Sequence, residues 1–156
     1  MKIRAGIAVA GAMAAVMTFL SAGEAHAATL AQRAMSVAAA QKGDPYQWGA
    51  EGPNRFDCSG LVWYSYKRVG KTLPRVAQSQ YNKSSKVSPS NRRPGDLVFI
   101  GRSSGSIYHV GIYAGFWSGK GWMWNANTGS YRGRKVVLAP ISEYTYGSPR
   151  AYYGRY

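Results

Sequence analysis

Phe56-Asp57-Cys58-Ser59-Gly60 runs straight into Leu61-Val62-Trp63-Tyr64-Ser65-Tyr66, and this junction governs how the rest of the chain is read. Upstream, Gly52-Pro53-Asn54-Arg55 has the composition of a turn. Downstream, apolar residues recur with a helical period. Asp57 is a good N-cap and Gly70 stands where a helix would stop, so Cys58 is expected as the first helical residue. Unpaired N–H groups and the positive end of the macrodipole favour an anion at that position. A free thiol has a pKa of ~8.5, and a helix N-terminus or a neighbouring imidazolium can lower it to ~3.5–7.5. Cys58 is the only cysteine in the chain. A lone cysteine also reads as a small buried hydrophobe, so its role depends on partners elsewhere.

Residues 1–27 are expected to be a signal peptide. Lys2 and Arg4 precede the apolar run Ile7–Leu20, and Ala25-His26-Ala27 has the small-x-small form of a cleavage site. The run is short for a membrane span, and no stable membrane anchor is expected. Cleavage would leave 129 residues, enough for one domain, and would export it as a soluble, secreted protein of the extracellular space or cell wall. In an oxidising compartment, cysteines usually come in disulfide pairs, so one unpaired thiol suggests a chemical task. With His26 removed, His109 is the only histidine, too few nitrogen and sulfur ligands for zinc. Neither a metal nor a cofactor is expected.

The formal charge of +14 becomes +13 once Lys2, Arg4 and Glu24 are removed. Such a balance favours polyanionic surroundings. The basic residues are scattered, no nucleic-acid motif is legible among them, and no nucleic-acid partner is expected. After export, an anionic cell-wall polymer is the expected partner.

In chain order, Thr29–Lys42 alternates as a helix, with Thr29 as N-cap and Gly43 beyond its end. Val76–Tyr81 is a short helix, and Asn82–Arg93 reads as a polar surface loop. From Pro94 the period changes to short β runs: Leu97–Ile100, Ile107–Ala114, Trp122–Ala126, Lys135–Leu138 and Arg150–Tyr153. Helices followed by an antiparallel meander imply an α+β fold rather than βαβ alternation. Residues 28–43 would be the N-terminal helix of the domain and 44–156 its catalytic body.

A thiol that attacks an amide needs a base, and the base needs an orienting group. His109 lies in His109-Val110-Gly111-Ile112-Tyr113, where strand alternation puts Val110 and Ile112 on one face and His109 on the other. The first face is expected to be core and the second an open cleft. Asn125, across the hairpin, could accept the imidazole N–H, and Asn127 is a second candidate on the same face. Gly101-Arg102-Ser103-Ser104-Gly105 matches the G-x-S-x-G elbow pattern, but a histidine strand follows it instead of a helix. Asn82-Lys83-Ser84 fits a glycosylation acceptor, a pattern too short to carry weight.

Several spaced motifs together resemble the NlpC-type cell-wall cysteine peptidases. They are Pro45-Tyr46-Gln47-Trp48-Gly49, the segment Phe56–Val62, Leu73-Pro74-Arg75, the segment Pro94–Phe99 and the segment His109–Tyr113. The resemblance implies a papain-like α+β fold, with N-terminal helices packed on an antiparallel sheet of five to six strands. It implies a secreted endopeptidase that cuts peptidoglycan stem peptides between D-glutamate and the following diamino acid. Separately, a monomer is expected. By the same likeness Cys58 is the nucleophile and His109 the base. Tyr46 assists the oxyanion, and Asp57 and Ser59 line the pocket for the stem's free amino end. The family's commonest third residue is histidine in a Trp-His-Ala stretch, where this chain has Trp124-Asn125-Ala126. A catalytically weakened wall-binding module, and a thiol amidase or acyltransferase acting on another amide, are the alternative expectations.

Overall fold

The computed structural model describes residues 28–156, so the expected signal peptide lies outside the described residues. Helix α1 spans Leu30–Ala40. Its start is fixed reciprocally: the Thr29 hydroxyl accepts from Gln32 N–H at 3.1 Å, and the Gln32 side chain accepts from Thr29 N–H at 3.0 Å. Ala34 and Ala38, one turn apart, let it lie close against α2, which spans Cys58–Arg68. Asp57 caps α2 by accepting Gly60 N–H at 2.7 Å, and Gly70 follows the helix with φ +94°, as the sequence suggests. Gly60 has no room for a side chain: a Cβ there would meet the Ala50 carbonyl oxygen at 2.1 Å. The third helix, α3, spans Ala77–Lys83.

Six strands follow: β1 Ser85–Val87, β2 Leu97–Gly101, β3 Ile107–Trp117, β4 Lys120–Ala126, β5 Val136–Pro140 and β6 Arg150–Arg155. They form one antiparallel sheet in the order β1-β6-β2-β3-β4-β5. The expected meander holds from β2 to β5. The chain then returns past β2, where β6 pairs with it and carries β1 at the edge. The Asn82–Arg93 segment is therefore more than a loop, since its Ser85–Val87 stretch is β1. The β3–β4 hairpin is also tighter than expected, turning at Ser118-Gly119, both with positive φ.

The sheet has a core on each face. Towards the helices, Phe56, Leu61, Val62 and Tyr66 pack on Leu97, Phe99, Val110 and Ile112. Each such side chain contributes about 1.5–3 kcal/mol on burial. Tyr66 buries its ring and donates its hydroxyl to the Gly95 carbonyl at 2.8 Å. On the opposite face Val98, Ile100, Tyr113, Met123 and Tyr153 form a second cluster, closed by Ile141 of the short 3-10 turn Ile141–Tyr144.

This second layer corrects the expectation of an open cleft at His109. Val110 and Ile112 do face the helices, but His109 is itself buried, because the Ile141–Tyr144 turn lies over its face. A bulge sits beside it: Ile100 pairs with His109 and Gly101 with Ile107, leaving Tyr108 unpaired between them. The bulge lets Ile107 and Val110 both join the helix-side core, while Tyr108 turns outward and is 55% exposed.

Candidate active site

Cys58 opens α2 at the floor of a cleft of about 610 Å³, where it remains partly exposed. Tyr46, Asp57, Ser59, Arg75 and Ile107 line the cleft, and Trp48, Val76 and Tyr108 form exposed apolar lips. The sulfur lies 4.0 Å from the Tyr108 carbonyl oxygen, and the Val110 N–H points a hydrogen bond at it. It therefore rests on the main chain on both sides of His109. Thiol and imidazole do not hydrogen-bond to each other in this conformation.

The thiol is pushed up from its ordinary value, not down. Burial is the larger cause and the adjacent Asp57 carboxylate the next, and N–H groups of Val110 and Ser59 only partly oppose them. The helix N-terminus is present as expected, but desolvation and a neighbouring anion outweigh it. His109 is pushed down to about 4, because burial penalises the imidazolium more than Asn125 stabilises it. The resting pair is a neutral thiol and a neutral imidazole.

Of the two candidate orienting residues, it is Asn125 that meets the imidazole, with Oδ1 3.0 Å from Nε2. The Asn125 amide nitrogen donates to the Val137 carbonyl at 3.4 Å, which leaves Oδ1 for the ring. This network puts the imidazole proton on Nε2 and leaves Nδ1 as a bare lone pair. Gly111 makes the approach possible, since a Cβ there would lie 2.8 Å from the Met123 sulfur and 3.2 Å from the Asn125 Cβ. Asn127 is spent on its own turn, donating to the Gly129 and Gly133 carbonyls and accepting from Gly129 N–H.

Two residues with no role assigned from the sequence complete the arrangement. Tyr144 stacks on the imidazole with ring centroids 5.0 Å apart, and its hydroxyl lies 2.8 Å from Oδ1 of both Asn125 and Asn127. Arg75 stands in the quoted Leu73-Pro74-Arg75 motif, and all five of its N–H groups are placed. Nε donates to Glu51, Nη1 to Asp57 and Ser59, and Nη2 to Asp57 and the Ala50 carbonyl, at 2.9–3.2 Å. The Asp57 carboxylate also accepts from Gly49 and Gly60 N–H, so the wall formed by Asp57 and Ser59 is a saturated, rigid network. Tyr46 lies under the Arg134 guanidinium at 5.2 Å. Burial, then the charges of Cys58 and Asp57, raise its phenol above the ordinary value, so it stays an O–H donor. Ser103 and Ser104, of the G-x-S-x-G pattern, are exposed in the β2–β3 connection and no helix follows them. Among the described residues no three of His, Cys, Asp and Glu converge as metal ligands.

The sequence model of the NlpC/P60 family matches residues 43–149. The bifunctional muramidase/DL-endopeptidase CwlT of Bacillus subtilis is 45% identical over 96 residues, covering 60% of this chain and 28% of that protein. Other curated relatives are named as probable endopeptidases. The chain spans 15% of the length of one, from Listeria seeligeri, and 48% of another, from Corynebacterium glutamicum. Among solved structures, the P60 domain of a Mycobacterium avium subspecies paratuberculosis antigen superposes with TM-score 0.66 at 30% identity, over 81% of this chain and 93% of that one. RipD of Mycobacterium tuberculosis, described as a non-catalytic NlpC/p60 domain adapted to peptidoglycan binding, superposes with TM-score 0.65 at 27% identity, over 83% and 98%. With the family pattern running through the cleft, the α2 start and the histidine strand alike, the chain belongs to the NlpC/P60 family.

Proposed function

We propose that this chain is an exported cysteine peptidase that hydrolyses amide bonds in peptidoglycan stem peptides, of the D-glutamyl–diamino acid type. The observation that carries the reading is the placement of the Cys58 sulfur: partly exposed in the cleft, at a helix start, against the main chain flanking an imidazole whose other nitrogen is held by Asn125. The DL-endopeptidase name of one relative supports the bond type.

In this reading His109 Nδ1 takes the thiol proton as the substrate carbonyl arrives, and sulfur attacks the carbonyl carbon. N–H groups at the start of α2 and the Tyr46 hydroxyl hold the oxyanion. The imidazolium gives its proton to the leaving amine as the C–N bond breaks. Water, deprotonated by His109, then releases the acyl group as a carboxylate and restores the thiol. Because both groups rest neutral, the proton moves from sulfur to Nδ1 as the sulfur attacks the bound carbonyl. Asp57, Ser59 and Arg75 act as a rigid polar wall for the end of the stem. Residues 1–27 serve as the signal peptide that exports the domain.

A second reading is favoured by one observation, the missing hydrogen bond between thiol and imidazole: a wall-binding module on a silent peptidase fold, of which RipD is a described case. Incubating residues 28–156 with defined muropeptides and identifying products by mass spectrometry separates the two. A new free amine on the diamino acid supports the peptidase. Binding without any product supports the module, and transfer of the acyl group to another amine would make the chain an acyltransferase.

A further inference from the structure

A second pocket, of about 420 Å³, opens between β4, β5 and the end of α1. Trp122, Trp124 and Leu138 form its apolar wall, and Lys42, Arg132 and Lys135 its charged one. None of the described residues lining it is acidic. The three cations are exposed, and among the described residues none of them has a salt-bridge partner. Trp117, 42% exposed, stacks flat on Trp122 with centroids 5.2 Å apart and planes within 3°, extending the indole surface to the tip of the β3–β4 hairpin. Trp122 is further held by its Nε1–H, which donates to the Trp117 carbonyl at 3.1 Å. The platform is thus fixed in orientation before any ligand arrives.

From this arrangement we infer that the pocket binds an acidic saccharide, with a sugar ring against the indoles and its carboxylate or phosphate among Lys42, Arg132 and Lys135. Indole faces suit the C–H face of a pyranose, and a cation cluster without acids suits an anion attached to that ring. The volume falls in the range of ligand pockets, about 300–1,000 Å³. A bare anion would not need the indoles, and a neutral sugar would not need the cations.

The pocket is joined to the cleft by one short ladder. Pro45 is bridged to Lys135, and Tyr46 N–H donates to the Arg134 carbonyl at 3.1 Å. In the segment just before β5, Arg134 covers Tyr46 in the cleft while Lys135 lines the second pocket. A wall polymer can therefore lie in the pocket with an attached or neighbouring stem in the cleft. The inference deepens the proposed function by naming where the carbohydrate sits, and rests on that reading only for the identity of the polymer.

The test uses the Cys58→Ala protein, so that binding is read without cleavage, and titrates three probes by tryptophan fluorescence and calorimetry. These are stem-free wall glycan, whose lactyl groups are free carboxylates, a phosphodiester-linked teichoic-type polymer, and a neutral chitin oligosaccharide. The expected result is salt-sensitive binding of at least one acidic probe, at least about tenfold tighter than the neutral one. Which acidic probe binds identifies the source. Lys135→Glu and Lys42→Glu, both at exposed positions, are each expected to weaken that binding about tenfold, and Trp122→Phe to weaken it less. Failure of both acidic probes to bind, equal binding of the neutral one, or unchanged affinity in both charge reversals would overturn the inference. Cleavage of stem peptides by the wild type is scored separately, so the loss of either conclusion leaves the other readable.

Discussion

The imidazole of His109 lies flat against the phenol ring of Tyr144, with centroids 5.0 Å apart and planes within 8° of parallel. The same phenol hydroxyl reaches Asn125 Oδ1, the atom that holds the imidazole's Nε2 side. Tyr144 therefore limits the ring's tilt with its face and the orienting amide's rotation with its hydroxyl.

Tyr144→Phe keeps the stack and loses one neutral hydrogen bond, an effect of about 0.5–1.5 kcal/mol, and turnover should fall no more than about tenfold. Tyr144→Ala uncovers the ring as well. Turnover should fall about a hundredfold, since small misplacements of a reacting group cost that much. The imidazole pKa, followed by NMR, should rise from about 4 toward its ordinary value as burial is lifted. A purely structural residue would move stability and leave that titration where it is.

Burial of neutral His109 also gives stability a pH dependence. The unfolded histidine titrates near ~6.5. The folded one is pushed down to about 4. Above ~6.5 neither state holds the proton. As pH falls from there toward 4, the unfolded chain takes up a proton that the folded chain refuses, and stability drops by up to about 3 kcal/mol. Urea midpoints at neutral pH and near pH 4 should therefore separate more in the wild type than in His109→Gln. Equal separations would show that the histidine is not the source.

Arg75 binds Asp57 through two guanidinium nitrogens while also reaching Glu51, Ser59 and Ala50. Arg75→Ala would leave a largely buried carboxylate without its counter-charge, at a cost of about 2–4 kcal/mol in urea unfolding. Arg75→Lys keeps the charge but cannot reproduce the fork, and should recover less than half of that loss. A change below about 0.5 kcal/mol for Arg75→Ala would show that the network is a surface ornament.

The start of α2 was legible because its signals are local: Asp57 caps, Cys58 opens and Gly70 follows the end. The strands from β2 onward were legible because their apolar runs are bounded by turns. Strand β1 was not, since Ser85-Lys86-Val87 has no apolar alternation and is a strand only because β6 pairs with it. The burial of His109 was hidden for a related reason. Alternation separates the faces of β3, but the cover comes from the 3-10 turn Ile141–Tyr144, which has no period to read. Arg75 was visible within a motif, yet its meaning lies in Asp57, eighteen positions away. The expected lowering of the Cys58 pKa counted the helix end and omitted what folding adds, desolvation and the carboxylate next door.

Every step of the proposed hydrolysis depends on the Cys58 sulfur as the attacking atom. The most direct test of that role is the release of new amino groups from purified peptidoglycan by wild-type protein and by Cys58→Ala, with unfolding midpoints measured in parallel. Steady release by the wild type and none by the variant, at unchanged stability, is the expected result. Equal release by both proteins, or none by either, would contradict it.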